Sequence, residues 1–404
     1  MTAGQRGQSG LAGFLGLNRN VVLLLCVIVL IGSGEETWMR FVPKYLEGLG
    51  AAAFVIGIFD AIKTLLGAVY AFPGGLIVDR WGHRRAFAAF TIISIGGYAA
   101  VLWTASITGV IAGMFLFLAW STLSLPATFS LVASSLPAGK HAMGIGIQSL
   151  IKRIPVLIGP VAGGLLIDRL GLVRGVHAGV AVTIILALCA LGLQSEIRSE
   201  DRPSRQLRWN LIAVVRGFHP ELRHLLVSDI LIRFCERLPY AWVVIYAMDQ
   251  AGVTAAGAGA LIAIEMAAAM ACYVPTAYLA DRFGKEPFVI ATFVFFTLFP
   301  LSLLLAKSFL LLAVAFAIRG LKEFGEPARK GLIIHYSPPE TRGQSVGAYY
   351  LIRDLTVTVG SFVGAILWKI SPAANFAAAA ALGALGTLFY VQRGARRASA
   401  AAAP

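Results

Sequence analysis

Twelve long apolar runs dominate the pattern of hydrophobic and polar positions along this chain. A helix needs roughly 20 apolar residues to cross the hydrocarbon core of a bilayer, and each run approaches or exceeds that length. Short polar segments separate most of the runs. They lie at about residues 21–45, 52–78, 86–104, 108–134, 143–168, 173–194, 223–249, 255–280, 287–305, 309–335, 344–369 and 373–392. The pattern predicts an all-α membrane protein with twelve transmembrane helices.

One polar segment, residues 195–222, is longer than the other connections and divides the runs into six and six. The sequence therefore predicts two six-helix bundles joined by a linker. The predicted organisation is an N-terminal segment at 1–20, a first bundle at 21–194, the linker at 195–222, a second bundle at 223–392 and a tail at 393–404.

The two halves share a register, which indicates an internal repeat. Tyr45 and Tyr246 differ by 201 in number, as do Pro126 and Pro327. Fixed spacing over most of each half predicts that the two bundles are pseudo-symmetric copies of one design.

Composition excludes a water-soluble globule. Apolar residues make up 58% of the 404 residues and charged residues 13%, whereas a soluble domain is about a quarter charged. The net charge of +14 is spread over short loops without a basic stripe, so it predicts membrane topology and not nucleic-acid binding. The four cysteines lie inside apolar runs without CxxC spacing, and we expect neither disulfides nor a metal site.

Lysine and arginine predict the orientation. Counted from a cytoplasmic N-terminus, the inner segments carry most of the basic residues, among them Arg80, Arg84 and Arg85. The outer loops carry few, including Lys44 and Lys307. The positive-inside rule then places both termini in the cytoplasm of a multi-pass protein of the plasma membrane, the inner membrane of a bacterial cell.

A charged corner lies between the second and third runs. It reads Gly-Leu-Ile-Val-Asp-Arg-Trp-Gly-His-Arg-Arg over residues 75–85, and Ala-Tyr-Leu-Ala-Asp-Arg-Phe-Gly-Lys echoes it over residues 277–285. Both resemble the Gly-x-x-x-Asp-Arg-x-Gly-Arg-Lys loop of the major facilitator superfamily. The resemblance implies alternating access, a substrate site near mid-membrane between the halves, and a gating loop made by Gly75, Asp79, Arg80, Gly82, Arg84, Arg85, Asp281, Arg282 and Gly284.

Many ionisable residues fall inside the apolar runs, where a charge costs several kcal/mol unless it is paired or faces water. Buried carboxylates beside cations can take up and release protons, and the candidate proton carriers are Glu35, Glu36, Asp60, Glu236 and Glu265. The candidate substrate-binding residues are Arg40, Lys152, Arg153, Arg319, Lys322, Glu323, Glu326, Arg353 and Asp354.

Spacing indicates how these charges can be satisfied. Glu36 and Arg40 are four residues apart, and so are Lys322 and Glu326. Such pairs share a helix face and can neutralise each other. For any single residue a purely structural ion pair remains an alternative to a role in transport.

The sequence predicts a secondary active transporter that moves a small polar or charged organic solute, with protons as the driving ion. We expect no enzyme, cofactor or nucleic-acid partner, and a monomer in the bilayer. A multidrug/proton antiporter is an alternative, because the glycines of the fifth run resemble a drug-antiporter signature, although residues 117–122 lack the arginine of that family. A membrane receptor or scaffold is a second alternative, which would need a sizeable soluble domain.

Overall fold

The structure, a computed structural model, describes residues 19–124, 128, 131, 151–197, 211–338 and 342–401. These residues form helices joined by short turns, and none of the described residues lies in a strand. The all-α fold class predicted from the sequence is confirmed. In chain order the helices are α1 Arg19–Trp38, α2 Val42–Gly48, α3 Ala53–Thr104, α4 Ile107–Leu118, α5 Arg153–Leu170, α6 Leu172–Ser195, α7 Leu211–Arg216, α8 Pro220–Tyr240, α9 Val243–Ile245, α10 Ala255–Phe283, α11 Glu286–Leu305, α12 Phe309–Leu321, α13 Glu326–His335, α14 Arg342–Ile370 and α15 Pro372–Ala401.

Most of the predicted membrane spans are visible as long apolar helices. Within the described ranges, eight segments are long and apolar enough to cross a bilayer. They are Arg19–Gly48, Ala53–Tyr70, Arg80–Thr104, Leu172–Ser195, Ala255–Ala280, Glu286–Leu305, Gln344–Ile370 and Pro372–Gln392.

The other four predicted runs are helical where they are described. The fourth begins as α4 and continues as a π-helical turn, Ala119–Leu123, and the fifth contains α5. The seventh begins as α8, whose several charges lower its apolar character. The tenth is not one helix: α12 ends at Leu321, and α13 begins at Glu326 with Pro327 in its first turn. Proline at a helix start fits because its missing N–H has no intrahelical partner there.

The corner predicted at residues 75–85 coincides with a break in α3. Gly82 has φ 74° and ψ 163°, outside helical geometry, so two helices meet at this residue. Gly284, which ends α10 at the second copy of the motif, has φ 91° and ψ 156°. Both conformations lie in a region that essentially only glycine adopts. The two copies of the motif therefore make the same turn.

The chain forms two compact units. The first contains Met1–Val42 and Val69–Arg205, and the second contains Pro43–Ala68 and Gln206–Pro404. The boundary at Arg205 lies within the predicted linker, and the segment Pro43–Ala68 packs with the second unit. The bundles at 21–194 and 223–392 are defined by the sequence repeat and stay a prediction.

Small residues bring the helices of the first unit close together. A Cβ on Gly163 of α5 would lie 1.6 Å from the carbonyl oxygen of Thr37, and one on Gly159 would lie 2.6 Å from the Cβ of Glu36. Helix α6 is equally close, because a Cβ on Gly34 would lie 2.6 Å from the Cα of Thr183. The glycines of the fifth run thus serve the contact between α5 and α1, as small residues do in membrane bundles.

The second unit uses the same device and adds buried polar bonds. A Cβ on Gly364 of α14 would lie 2.4 Å from the carbonyl oxygen of Leu238 in α8. The amide of Asn375 donates to the carbonyl oxygens of Leu238 and Gly364 at 3.0 and 2.8 Å. A Cβ on Gly320 of α12 would lie 2.3 Å from the carbonyl oxygen of Glu265 in α10. These contacts bring α14 close to α8, and α12 close to α10.

Replacing the turn glycine should cost stability through backbone strain alone. A Cβ at Gly284 meets nothing within 4 Å, so Gly284→Ala creates no clash. Its φ of 91° should still cost about 1–3 kcal/mol. We expect a lower thermal unfolding midpoint for the purified variant in detergent.

The matched control for this strain is Gly67→Ala in α3. A Cβ at Gly67 also meets nothing within 4 Å, and this residue lies in ordinary helix. We expect an unchanged or higher midpoint, because alanine is the better helix former. Equal losses in the two variants would contradict the assignment of a strained turn at Gly284.

Candidate functional site

The candidate site is built on the charged face of α8. Asp229, Arg233 and Glu236 lie four and three residues apart, so they share one side of this helix. Each carries its charge towards a neighbouring element of the second unit, and the resulting ion pairs join α8 to Lys322 just after α12, to α13 and to α14.

Asp229 is fully buried and collects three arginines. One carboxylate oxygen accepts hydrogen bonds from Arg329 of α13, from Tyr349 at 3.0 Å and from Arg353 at 3.4 Å. Its other oxygen lies 3.8 Å from Nε of Arg233. Arg329 has 1% exposure, which makes it one of the most deeply buried large side chains of the described residues.

Glu326 and Arg233 form the middle of the arrangement. Arg329 donates to Glu326 from two nitrogens, at 3.0 Å from Nε and 2.7 Å from Nη2, in the fork geometry that makes arginine–carboxylate pairs strong. Arg233 then bridges two carboxylates, with Glu236 at 2.8 Å and Glu326 at 3.5 Å. Neighbouring charges of opposite sign therefore follow one another from α13 back to α8.

Lys322 and Arg319 continue the series towards α10. The ammonium of Lys322 lies 2.7 Å from Glu236 and 3.3 Å from Glu265. Arg319 lies 3.3 Å from the second oxygen of Glu265. Arg319 has 6% exposure and packs against three aromatic rings, those of Tyr240, Phe299 and Phe316.

These nine residues alternate in sign, and we call them the charge ladder. Its order is Arg353, Asp229, Arg329, Glu326, Arg233, Glu236, Lys322, Glu265 and Arg319. Five of its members are cations and four are carboxylates, and an arginine stands at each end. Buried charges need such partners, because removing one partner leaves its neighbour uncompensated in a medium of low dielectric.

The break between α12 and α13 explains why one sequence-based pairing is wrong. Lys322 and Glu326 were expected to share a helix face, but residues 322–325 form turns between the two helices. Lys322 consequently contacts Glu236 and Glu265, while Glu326 contacts Arg329 and Arg233. Glu326 also lies 3.5 Å from Lys330 within α13, a four-residue pair of the expected kind.

Asp60 belongs to a second cluster of the second unit. Its carboxylate accepts a hydrogen bond from Ser361 at 2.6 Å and lies 3.4 Å from Arg237. Lys63, which follows Asp60 by three residues on the same helix, makes none of these contacts. The helices are close together here, because a Cβ on Gly57 would lie 2.6 Å from the Cβ of Ala365 in α14.

The candidate residues of the first unit form separate pairs. Tyr98 donates a hydrogen bond to Glu35 at 2.6 Å, and Arg40 donates to Glu36 at 2.9 Å, as the spacing predicted. Lys152 and Arg153 are half-buried where α5 begins.

The remaining candidates lie at the edges of the ladder or in the gating loop. Arg353 also pairs with Asp354 at 2.7 Å, and Glu323 is half-buried in the turn after Lys322. The side chains of Arg80, Arg84, Arg85 and Arg282 are exposed. The burial of Gly75 and the side chains of Asp79 and Asp281 lie outside what the structure describes, and the gating role of the whole loop stays a prediction.

Sequence reasoning missed Asp229, the most highly connected carboxylate of the ladder. The available signal was its spacing, since Asp229 precedes Arg233 by four residues and an acid at this distance shares a helix face with the base. It also missed Arg329 as a site residue, although Arg329 follows Glu326 by three.

A helical membrane chain with a repeated glycine turn and a charged interior is an arrangement that suits a transporter. The chain belongs to the Major Facilitator Superfamily, whose family model matches residues 23–235 and 225–403. The protein is accordingly a multi-pass membrane transporter of small solutes.

Sequence identity to individual proteins is low, but the similarity extends over most of the chain. The Escherichia coli multidrug resistance protein MdtG is 25% identical over 367 residues, which cover 86% of this chain and 88% of MdtG. A variant of the nucleoside transporter NupG superposes with a TM-score of 0.78 at 10% identity, covering 93% of this chain and 99% of NupG. A POT family transporter bound to 5-aminolevulinic acid gives 0.78 at 13% identity, with 92% and 95% covered.

Removing Arg329, the most buried arginine of the ladder, should destabilise the fold. Arg329→Gln leaves Asp229 and Glu326 buried with one fewer cation, which should cost about 3–5 kcal/mol. We expect a large fall in the thermal midpoint of purified protein, with partial recovery in the double variant Asp229→Asn/Arg329→Gln, which removes the pair together.

Lys330→Gln is the control, since Lys330 pairs with the same Glu326 but its side chain is 49% exposed. Exposed pairs contribute about 1 kcal/mol or less, and this variant should unfold close to wild type. If Arg329→Gln were as stable as Lys330→Gln, the ladder would not be a constraint on folding.

Proposed function

We propose that this transporter is secondary active, that its solute is a small polar or charged organic molecule, and that protons drive its movement. The observation that carries the proposal is the charge ladder. An apolar solute needs no such arrangement, and packing alone does not require it, because the repeat-related positions of the first half at 121–126 are uncharged.

The members of the ladder have enough ion-pair partners for a charged solute to replace one of them. Every carboxylate in it touches at least two cations, and Lys322 and Arg233 each touch at least two carboxylates. A solute group can therefore replace one contact of a member while the others keep it paired. Replacement avoids the full cost of leaving a buried charge alone, which is the largest barrier to charge movement inside a membrane protein.

Carboxylates that lie beside cations support the proposal of proton coupling. If Glu236 takes up a proton, its attraction for Lys322 and Arg233 weakens, and both become available to another anion. Glu265, Asp60, Glu35 and Glu36 are further candidates. Glu35 differs from the others in its bond from a tyrosine hydroxyl, a neutral donor that serves the acid in either protonation state.

Multidrug export is the second candidate function, and the similarity to MdtG favours it. It would require a cavity that accepts apolar cations. The excess of cations over carboxylates in the ladder opposes such a substrate, so we place polar solutes first.

Neutralising Glu236 should separate proton coupling from solute binding. We would reconstitute the protein in liposomes that contain a pH-sensitive dye and add single solutes: amino acids, carboxylic acids, nucleosides, and ethidium as a representative drug. A solute whose addition changes the pH inside the liposomes is a transported substrate. Glu236→Gln should then lose accumulation driven by a pH gradient while it retains exchange of labelled solute across the membrane.

Glu35→Gln and Glu36→Gln test the first unit in the same assay, and Glu47→Gln is the control. Glu47 is paired with Lys44 away from the ladder, at 2.7 Å, so its loss should leave the coupling unchanged. Wild-type pH dependence in all three glutamine variants would refute proton transfer through these acids. Proton movement with ethidium alone would favour multidrug export.

The proposal includes cytoplasmic termini, which cysteine labelling tests. In a background that lacks the four native cysteines, Lys307→Cys should react in intact cells with a maleimide that cannot cross membranes. Arg85→Cys should react only after permeabilisation. Both native side chains are exposed, so accessibility to solvent is matched. The reverse labelling pattern would place the termini outside.

A further inference from the structure

Arg319 differs from every other cation of the ladder in its hydrogen bonding. Its side chain is 8% exposed, and none of its N–H groups makes a hydrogen bond to the part of the chain that the structure describes. Its contact with Glu265 is a 3.3 Å ion pair. Arg329, in contrast, donates to Asp229 and to both oxygens of Glu326.

Aromatic rings surround this guanidinium. Its central carbon lies 5.0 Å from the ring centroid of Phe299, 5.5 Å from that of Tyr240 and 5.9 Å from that of Phe316. Such contacts favour a cation but use none of the five N–H donors of arginine. Within the described residues, Arg319 therefore keeps unused N–H donors in surroundings that are mainly aromatic.

A second arginine meets the same tyrosine. Arg237 lies 4.9 Å from the centroid of Tyr240, and its hydrogen bonds to Asp60 are long, at 3.4 and 3.5 Å. The ring of Tyr240 thus contacts two guanidinium groups, those of Arg237 and Arg319. Their contacts with Asp60 and Glu265 are all 3.3 Å or longer. The two arginines and two carboxylates here balance in charge, but the arginine N–H donors outnumber the hydrogen bonds that they make.

We propose that Arg319 anchors the oxyanion of a small organic acid, and that Tyr240 and Phe299 contact the apolar part of that acid. The assignment rests on the proposed transport function and names its substrate class. A guanidinium fork matches a planar carboxylate in two parallel hydrogen bonds, and a phosphate oxyanion offers the same chemistry. The aromatic rings favour a ring or short hydrocarbon on the solute over a purely polar body.

Glu265 competes with the solute at this anchor. The solute oxyanion replaces Glu265 at Arg319, while Lys322, 3.3 Å from Glu265, keeps that carboxylate paired. Arg237 adds positive potential beside the same ring without giving up Asp60. Neutralising Glu265 should therefore strengthen anion binding, and removing the fork of Arg319 should weaken it.

Binding to the purified full-length protein tests the anchor. The probes are sodium benzoate and sodium phosphate, with benzamide as the neutral analogue of benzoate and sodium chloride to match ionic strength. Affinity is read from the shift of the thermal midpoint with concentration. We expect benzoate to bind and benzamide not to, Arg319→Gln to weaken benzoate by at least about 10-fold, and Glu265→Gln to strengthen it by a similar factor.

Control variants keep the test decisive. Arg169→Gln removes an exposed arginine of the first unit and should bind benzoate like wild type. If Arg319→Gln does not fold, Arg319→Lys retains the charge without the fork and should still bind more weakly. The double variant Arg319→Gln/Glu265→Gln, which leaves neither partner unpaired, should also bind more weakly than Glu265→Gln.

Each outcome decides the proposal. Binding of phosphate through Arg319 supports an oxyanion anchor for phosphate esters, and binding of benzoate supports it for carboxylates. Binding of neither probe, or equal binding by wild type and the Arg319 variants, overturns it. Loss of proton-driven transport with intact benzoate binding would refute only the coupling, whereas transport with binding that is independent of Arg319 would refute only the anchor.

Discussion

The second unit depends on one constraint, that a charge inside a membrane bundle must have a partner. Helices α8, α10, α12, α13 and α14 each contribute to the charge ladder, so each is connected to another by at least one ion pair. Apolar contact gives little direction to helices in lipid, because lipid tails are as apolar as leucine. Ion pairs at 2.7 to 3.5 Å are directional, and they fix which face of each helix points inwards.

One position of the repeat carries charge in only one half of the chain. The π-helical turn Ala119–Leu123 of the first half and the turns at 322–325 of the second lie at nearly the same repeat position, just before Pro126 and Pro327. In the first half the hydroxyls there bond to the helix itself, as Ser121 does to the carbonyl oxygen of Leu118. In the second half Lys322 bonds across to other helices. Both halves therefore interrupt the regular α-helix at this position. The residue types there determine whether the side chains bond within their own helix or to neighbouring helices.

The sequence predicted the features that depend on local pattern. Apolar length identified the spans, glycine chemistry identified the turns at Gly82 and Gly284, and four-residue spacing identified the pair Glu36 and Arg40. It could not predict partners that are distant along the chain. Lys322 and Glu236 are 86 residues apart, and Asp60 and Arg237 are 177 apart. Their pairing depends on how the helices rotate and approach, which small residues such as Gly57 and Gly320 control through contacts that no periodicity reveals.

Under the proposed function, the ends of the ladder are where a solute would act on it most easily. An interior member such as Arg233 or Glu326 is held from both sides, so displacing one contact strains its neighbours. At one end Arg353 has Asp354 as an additional partner, 35% exposed and 2.7 Å away. At the other end Arg319 holds only Glu265 among its charged contacts in the described chain, without a hydrogen bond. An anion arriving at Arg319 would therefore displace a pair that has no hydrogen bond, and Glu265 would keep its pair with Lys322, which also pairs with Glu236. Solute binding at one end is in this way connected through Lys322 to Glu236, the candidate proton carrier on α8.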